Sequence, residues 1–234
     1  MNRILFERDE VADGVAVCGG ARAAHILGVL HGEVGQRLKT GEIDGKIGTG
    51  EIVEIAPGCV KVRVNHDEES LRPWCDLVLA PPRPRVLKRL LPQLASLGVG
   101  TIVLVGAAKV EKDFWGATLL KENVHRPLFV DGLMQAGTSV LPRLEARRNF
   151  RRFVRDELDA LFPTCNRVVA HPSGRAERPR AADGRLLLAV GPEGGWTDEE
   201  VALLEERGFA RCSLGPRILR TDTALVALLS RLGE

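Results

Sequence analysis

Two glycine- and proline-bearing segments near the C-terminus carry the chemistry open to this chain. The first is Gly191-Pro192-Glu193-Gly194-Gly195, followed by Trp196-Thr197-Asp198-Glu199-Glu200. The second is Leu214-Gly215-Pro216-Arg217-Ile218-Leu219-Arg220-Thr221-Asp222-Thr223. Each follows an apolar, strand-like run and opens into a helix-like pattern. Glycine lets a main chain come close to a ligand, and proline fixes its course. Two such loops side by side would grip a small polar cofactor through backbone amides and carbonyls. Neither is a standard phosphate cradle: G-x-x-x-x-G-K-[ST] is absent, which argues against a P-loop enzyme. No G-x-G-x-x-G follows a strand near the N-terminus, so a dinucleotide site is weakly supported. No G-x-S-x-G and no nucleophile–base pair stands out.

Bulk properties narrow the classes further. The 234 residues carry 33 Lys and Arg against 31 Asp and Glu, a formal net charge of +2. Any nucleic-acid binding must therefore come from local patches. One patch is Arg143, Arg147, Arg148, Arg151, Arg152 and Arg155. As a helix, it would stack Arg147, Arg151 and Arg155 at i, i+4 and i+8, with Arg148 and Arg152 beside them. Like charges at that spacing repel, and a phosphate backbone would repay the cost. The alternative is a solvated face neutralised by acids elsewhere. Phe150 and Phe153 would form the buried side. Cys18, Cys59, Cys75, Cys165 and Cys212 are odd in number and lack C-x-x-C, which argues against a disulfide framework and a zinc site. The histidines show no H-E-x-x-H spacing, so no metal is expected. The apolar runs, such as residues 186–190 and 101–108, are too short to span a membrane. The charged start (Arg3, Glu7, Arg8, Asp9, Glu10) lacks a signal-peptide core. A cytoplasmic protein is expected.

The elements that must position the two segments follow from periodicity. Residues 1–74 read as mostly β: short alternating or β-branched runs at 4–6, 15–17, 50–55 and 60–64, punctuated by glycine and proline turns. One short helix is expected over 21–30. From 75 to 234 strand and helix alternate, which argues for a mostly parallel α/β sheet with helices on its faces. Strands are expected at 77–79, 101–105, 167–170, 186–190 and 210–214. Helices are expected over 86–97, ending at Gly98 as C-cap, and over 131–136, followed by the arginine stretch. Thr197 and Glu200 spell a capping box with Trp196 and Val201 at the staple positions. The helix it starts should stop at Gly208. Leu225, Leu228, Leu229 and Leu232 recur at i, i+3, i+4 and i+7 in the last helix, a stripe that reads as core or dimer interface. The chain is thus read as two domains, 1–74 and 75–234.

The two segments together resemble the C-terminal motifs of the RsmE-type methyltransferases of the SPOUT superfamily. The likeness lies in the apolar strand before Gly191, the P-E-G-G turn, the acidic helix start and the L-G-P-R-I-L-R-T-x-T-A run. His171-Pro172 after strand 167–170 fits the family's first cofactor loop. The resemblance is strong over residues 165–234 and architectural elsewhere. It implies a C-terminal trefoil-knotted parallel sheet and a small N-terminal PUA-like, RNA-binding β-barrel. It implies a homodimer that methylates N3 of a uridine in 16S ribosomal RNA of the small ribosomal subunit.

S-adenosyl-L-methionine is the implied cofactor, surrounded by His171, Pro172, Gly191, Pro192, Glu193, Gly194, Gly195, Leu214, Gly215, Pro216, Ile218 and Leu219. Glu193 either touches it or braces its own turn by accepting backbone N–H bonds. Uracil N3 carries a proton, so the site must remove it or stabilise the resulting anion, on a base held outside the stack. Arg220 would stabilise charge on the uracil oxygens or hold a phosphate. Asp222 would accept the proton or orient Arg220, and Thr221 would cap the last helix or bond the base. Arg143, Arg147, Arg148, Arg151, Arg152 and Arg217 are the candidate RNA contacts.

The chain departs from the family pattern in places. Asp222 stands where glutamate is usual, and Ser96 and Met134 replace glutamates. Thr138 and Val140 replace arginines, while Gln135 and Pro142 are kept. Val29-Leu30-His31 replaces a basic V-L-R. A target other than the usual uridine, or a noncatalytic RNA- or ribosome-binding role, therefore stays open beside the methyltransferase reading.

Overall fold

The computed structural model describes residues 3–173 and 184–233, and these divide into two compact units. The first comprises residues up to Arg72 together with Val130–Leu141; the second comprises Pro73–Phe129 and Pro142 onward.

In the first unit, strands β1 (Ile4–Phe6), β2 (Val11–Ala12), β3 (Val15–Gly19), β4 (Arg37–Glu42), β5 (Ile47–Ala56) and β6 (Cys59–Glu68) form one sheet in the order β1-β4-β5-β6-β3-β2. Only β1 pairs in parallel, with β4; the other pairs are antiparallel. The helix expected over 21–30 is α1 (Gly20–Gly28). Alternation is plain on β3, where Ala16 and Cys18 are buried and Val17 is exposed, as a sheet with one covered face requires.

In the second unit, β7 (Cys75–Leu79), β8 (Val99–Val105), β9 (Arg143–Arg147), β10 (Asn166–Ala170), β11 (Leu186–Val190) and β12 (Ala210–Cys212) form an all-parallel sheet in the order β12-β10-β11-β7-β8-β9. Its central strands are buried on both faces. Val78, Val103, Val105, Leu187 and Ala189 pack with Phe150, Phe153, Val154, Leu158, Trp196, Val201 and Leu204. Their neighbours in sequence (Leu77, Leu79, Ile102, Leu104, Leu188) point the other way by the two-residue period of a strand. On that side α2 (Pro84–Ser96) packs against β8, and α7 (Thr221–Leu232) packs against α2. The predicted stripe Leu225, Leu228, Leu229 and Leu232 is buried throughout.

Two expectations are corrected. The arginine stretch is not one helix. Residues 143–147 are the edge strand β9, paired with β8 from Thr101↔Arg143 to Val105↔Arg147. The helical part begins only at Phe150, as α4 (Phe150–Arg152), a π-helical turn (Phe153–Glu157) and α5 (Leu158–Leu161). An alternating charged strand at a sheet edge avoids the i, i+4 arginine repulsion that one helix would incur. Phe150 and Phe153 are buried, as expected. The helix read as 131–136 is α3 (Glu122–Ala136), which accommodates Pro127 internally, and its last turns, from Val130, count with the first unit.

Among the described residues no helix is long and apolar enough to cross a membrane, and no group of three or more His, Cys, Asp or Glu is placed to hold a metal ion.

Candidate functional site

Three loops leave the C-terminal ends of adjacent parallel strands, the usual place for a ligand in an open α/β sheet. Ala170 at the end of β10 pairs with Cys212 at the end of β12, and Val190 ends β11 one step past Ala189, the partner of Val169. These three residues line a cavity of about 250 Å³ above the strand ends. The walls come from the loops that follow. His171 and Pro172 follow β10; Gly191, Pro192, Glu193, Gly194 and Gly195 follow β11; Ser213, Leu214 and Gly215 follow β12. Arg217, Ile218, Leu219 and Thr221 complete the lining, with Ala224 and Leu228 of α7.

Each loop is held by its own bonds. His171 N–H donates to the Cys212 carbonyl at 2.9 Å, tying the first loop to the third strand. Gly195 N–H donates to the Pro192 carbonyl at 2.8 Å and closes a tight turn, with Gly195 at φ +69°. A Cβ on Gly191 would stand 3.0 Å from the Trp196 nitrogen, a tight contact that glycine avoids where the turn folds back. The Ser213 hydroxyl accepts from Gly215 N–H at 3.1 Å, and Gly215 sits at φ +112°.

The loop after β11 is locked from behind as well. The predicted capping box is formed: Thr197 Oγ1 accepts from Glu200 N–H, and Glu200 Oε2 accepts from Thr197 N–H at 2.8 Å. It starts α6 (Asp198–Glu205), with Trp196 and Val201 buried in one cluster at the staple positions. Glu200 Oε1 also accepts from Ala108 N–H at 2.7 Å, and Lys109 Nζ donates to the Gly194 carbonyl at 2.8 Å. The loop after β8 therefore clasps the glycine turn.

Electrostatics inside the cavity are quiet. Burial, with the Arg211 guanidinium beside it, lowers the His171 pKa against the pull of Asp198 and Glu205. Its Nδ1 accepts from Ser173 N–H at 3.2 Å, which assigns the proton of the neutral ring to Nε2. Burial pushes the Cys212 thiol up to about 12, so it stays a neutral thiol. The Trp196 indole N–H is buried without a partner among the described residues. Apolar strand ends and backbone-rich loops suit a ligand with a ring to bury and several polar edges to bind.

Of the twelve predicted cofactor residues, all but Pro216 line the cavity; Pro216 is exposed on the turn. Thr221 lines it too, as does Arg217, which the sequence assigned to RNA. Arg220 and Asp222 do not. They line a second, adjoining cavity that shares Glu193, Gly194 and Thr221 with the first.

Three expected roles change. Thr221 is the first helical residue, not the cap; Arg220 is the N-cap, at φ −65° and ψ 150°, and no side chain caps the helix. Asp222 does not meet Arg220: its Oδ2 lies 3.6 Å from Arg89 Nη2, and its Oδ1 accepts from Thr223 N–H. Glu193 does not brace its own turn; Oε1 accepts from Arg83 N–H at 3.2 Å and ties the turn to the proline loop after β7.

The arginine patch is partly neutralised. Arg147 is bonded to Glu157 at 2.6 Å and to Glu145 at 2.8 Å, Arg151 pairs with Glu199, and Arg148 reaches the Trp115 carbonyl.

The lining residues that sequence reading missed are Ala170, Val190, Trp196, Cys212, Ser213, Ala224 and Leu228. Most belong to strand ends and the buried helix face, where apolar residues carry no local sign of a ligand.

Comparison with known proteins bears on this geometry. Residues 69–233 match the family described as RNA methyltransferase domain. The chain is 32% identical over 236 residues to the ribosomal RNA small subunit methyltransferase E of Treponema pallidum, spanning 97% of this chain and 88% of that one. It is 25% identical to the Bacillus subtilis protein of the same name, over 90% and 86%. Among solved structures, a putative methyltransferase of Legionella pneumophila in complex with S-adenosylmethionine superposes with a TM-score of 0.74 at 26% identity, covering 98% and 95% of the two chains. The methyltransferase E of Neisseria gonorrhoeae bound to S-adenosylmethionine shares the fold, with a TM-score of 0.76 at 21% identity and the same coverage.

Proposed function

The chain belongs to the RNA methyltransferase domain family, of the small-subunit methyltransferase E type, and from that membership we propose that it methylates N3 of a uridine in 16S ribosomal RNA with S-adenosylmethionine. The observation that carries the reading is the convergence of three loops on one cavity at the ends of β10, β11 and β12. The loops after β11 and β12 are the ones that spell the family's motifs. The reading includes a cytoplasmic homodimer, a PUA-like barrel that binds RNA and a trefoil-knotted C-terminal segment. The sheet order supports the knot, since β12 lies beside β10 although the chain reaches it from β11.

In this reading the backbone of residues 191–195 and 214–215 takes the polar edges of the cofactor, and Ala170, Val190 and Leu228 take its ring. When bound, S-adenosylmethionine supplies a methyl group on a positively charged sulfur, which leaves as a neutral thioether as N3 bonds to the methyl carbon. The protein's own part is to make N3 nucleophilic. Asp222 accepts the N3 proton, and the Arg220 guanidinium stabilises the negative charge that spreads to the uracil oxygens. The Arg220 guanidinium has no hydrogen-bond or ion-pair partner among the described residues, which leaves its donors free for that task. Arg143, Arg152 and Arg217 serve the RNA backbone.

Calorimetry with S-adenosylmethionine and methylation of purified small subunits against free 16S RNA test the reading. Binding with site-specific methyl incorporation at one uridine is expected. Absence of cofactor binding would refute it, and methylation of another base would redirect the target. Arg220→Ala should lower the methyl-transfer rate by about 100-fold or more while leaving cofactor affinity unchanged. An equal loss of affinity would overturn the role given to Arg220.

A further inference from the structure

Beside the cofactor cavity lies a second one of about 610 Å³, within the range of about 300–1,000 Å³ typical of ligand sites. Part of its lining is apolar: Pro81, Pro82, Val86, Val110 and Phe114. The rest is largely ionic, with Arg83, Arg89, Lys109 and Arg220 beside Glu111, Glu193 and Asp222. Glu193, Gly194 and Thr221 belong to both cavities, so the two adjoin there.

We propose that this second cavity receives the extruded acceptor nucleotide, with Arg83 and Arg89 binding its flanking phosphates. The proposal rests on the methyltransferase reading of the first cavity. A methyl group can pass only between ligands that meet, and the two cavities adjoin at the three residues they share. A base pulled from its stack needs apolar surface to replace stacking, which the proline loop and Phe114 offer. The cations differ in how firmly they are engaged. Lys109 is held at 2.8 Å by the Gly194 carbonyl and belongs to the clasp. Arg83 and Arg89 lie 3.5 Å and 3.6 Å from Glu111 and Asp222, and both guanidinium groups are well exposed. Exposed pairs of that length are worth about 0–1 kcal/mol, whereas a guanidinium bound to phosphate makes short, charge-assisted, often bidentate bonds. Phosphate would therefore displace the carboxylates. Exchange at Arg89 also releases Asp222, the residue assigned to take the N3 proton, so RNA docking and proton acceptance become linked through one side chain.

Arg85 and Lys88 extend the same cationic run along α2, which carries no acidic residue. This adds an approach for RNA on α2 to the one at Arg143 and Arg152, in whose patch glutamates already occupy Arg147 and Arg151.

Two variants test the cavity. Val86→Trp fills it from the α2 side; Arg89→Ala removes one phosphate contact at an exposed position that folding does not need. Each is measured for binding of a uridine-bearing 16S RNA fragment across a salt series, with and without S-adenosylhomocysteine, for S-adenosylhomocysteine affinity alone, and for methylation. Val86→Trp should cut methylation at least 100-fold with S-adenosylhomocysteine affinity within two-fold of wild type. Arg89→Ala should raise the KM for RNA several-fold and reduce the slope of log affinity against log salt by about one. A folded Val86→Trp protein that methylates at the wild-type KM, or an Arg89→Ala protein with an unchanged salt slope, would overturn the proposal. RNA binding that both variants weaken in a protein that takes no S-adenosylhomocysteine would support the cavity while refuting the methyltransferase reading.

Discussion

His171 shows how a single side chain can tie the cavity to pH. Burial and Arg211 lower its pKa, and its Nδ1 accepts the Ser173 amide proton, a bond that only the unprotonated nitrogen can accept. The folded protein thus favours the neutral ring, while the unfolded chain takes up its proton near pH 6.5. The stability this provides is complete above the unfolded value and is lost as pH falls through the folded value. Wild type should therefore lose more stability between pH 7.5 and pH 5 than His171→Gln; denaturant unfolding across that range measures it, and equal losses would refute the role. Residue identities at the cavity were largely legible, because glycine, proline and histidine are rare in such order. Residue duties were less so. Thr221 reads as a cap from its type, yet the half-helical position falls on Arg220, and sequence carries no mark of where backbone angles switch.

At the scale of elements, the parallel sheet is pinned at the end opposite the cavity. Asp76 of β7 is buried and accepts from the Arg185 guanidinium at 2.5 and 2.8 Å and from Thr101 N–H at 2.7 Å. The pair joins β7, β8 and the entry to β11. Arg185→Met leaves a buried carboxylate without its cation, a loss of about 3 kcal/mol, at the low end for buried pairs because Arg185 is half-exposed. Urea unfolding should show that loss while S-adenosylhomocysteine affinity stays constant; a loss below about 1 kcal/mol would mean that water replaces the cation. The start of helix α6 was readable to the residue, because a capping box and a staple are local devices, whereas its end at Glu205 falls short of the expected stop at Gly208. Strand β9 was not. Arg143-Leu144-Glu145-Ala146-Arg147 fits either period, and only the open edge of β8 selects the strand.

For the whole molecule, the division into units depends on a contact far apart in sequence. Arg3, nearly buried, donates to the carbonyls of Thr40 at 2.6 Å, Gly48 at 2.9 Å and Gly137 at 2.9 Å, while its own amide donates to the Met134 carbonyl at 3.0 Å. Ser139 and Leu141 add bonds to Gly45, Ser70 and Asp44. This gathers Val130–Leu141 into the first unit. It also gives a structural setting to Met134, Thr138 and Val140, where the chain departs from the family pattern. Arg3→Met strands three carbonyls and should cost about 3 kcal/mol in the first unit. Hydrogen exchange at the Asp44 and Leu141 amides should quicken, and unchanged protection would show that the arginine is dispensable.

The sequence by itself determined the two glycine- and proline-bearing loops, the capped helix between them, the apolar strands that precede them and the stripe of α7. All of these rest on neighbours a few residues apart, where glycine freedom, capping and periodicity act. Tertiary structure alone decided that β12 lies beside β10, that Arg220 and Asp222 face a second cavity, and that Asp222 meets Arg89 and Glu193 meets the proline loop. It also decided that residues 130–141 join the first unit. Those outcomes depend on which distant surfaces meet when the sheet assembles, and no local propensity encodes the meeting.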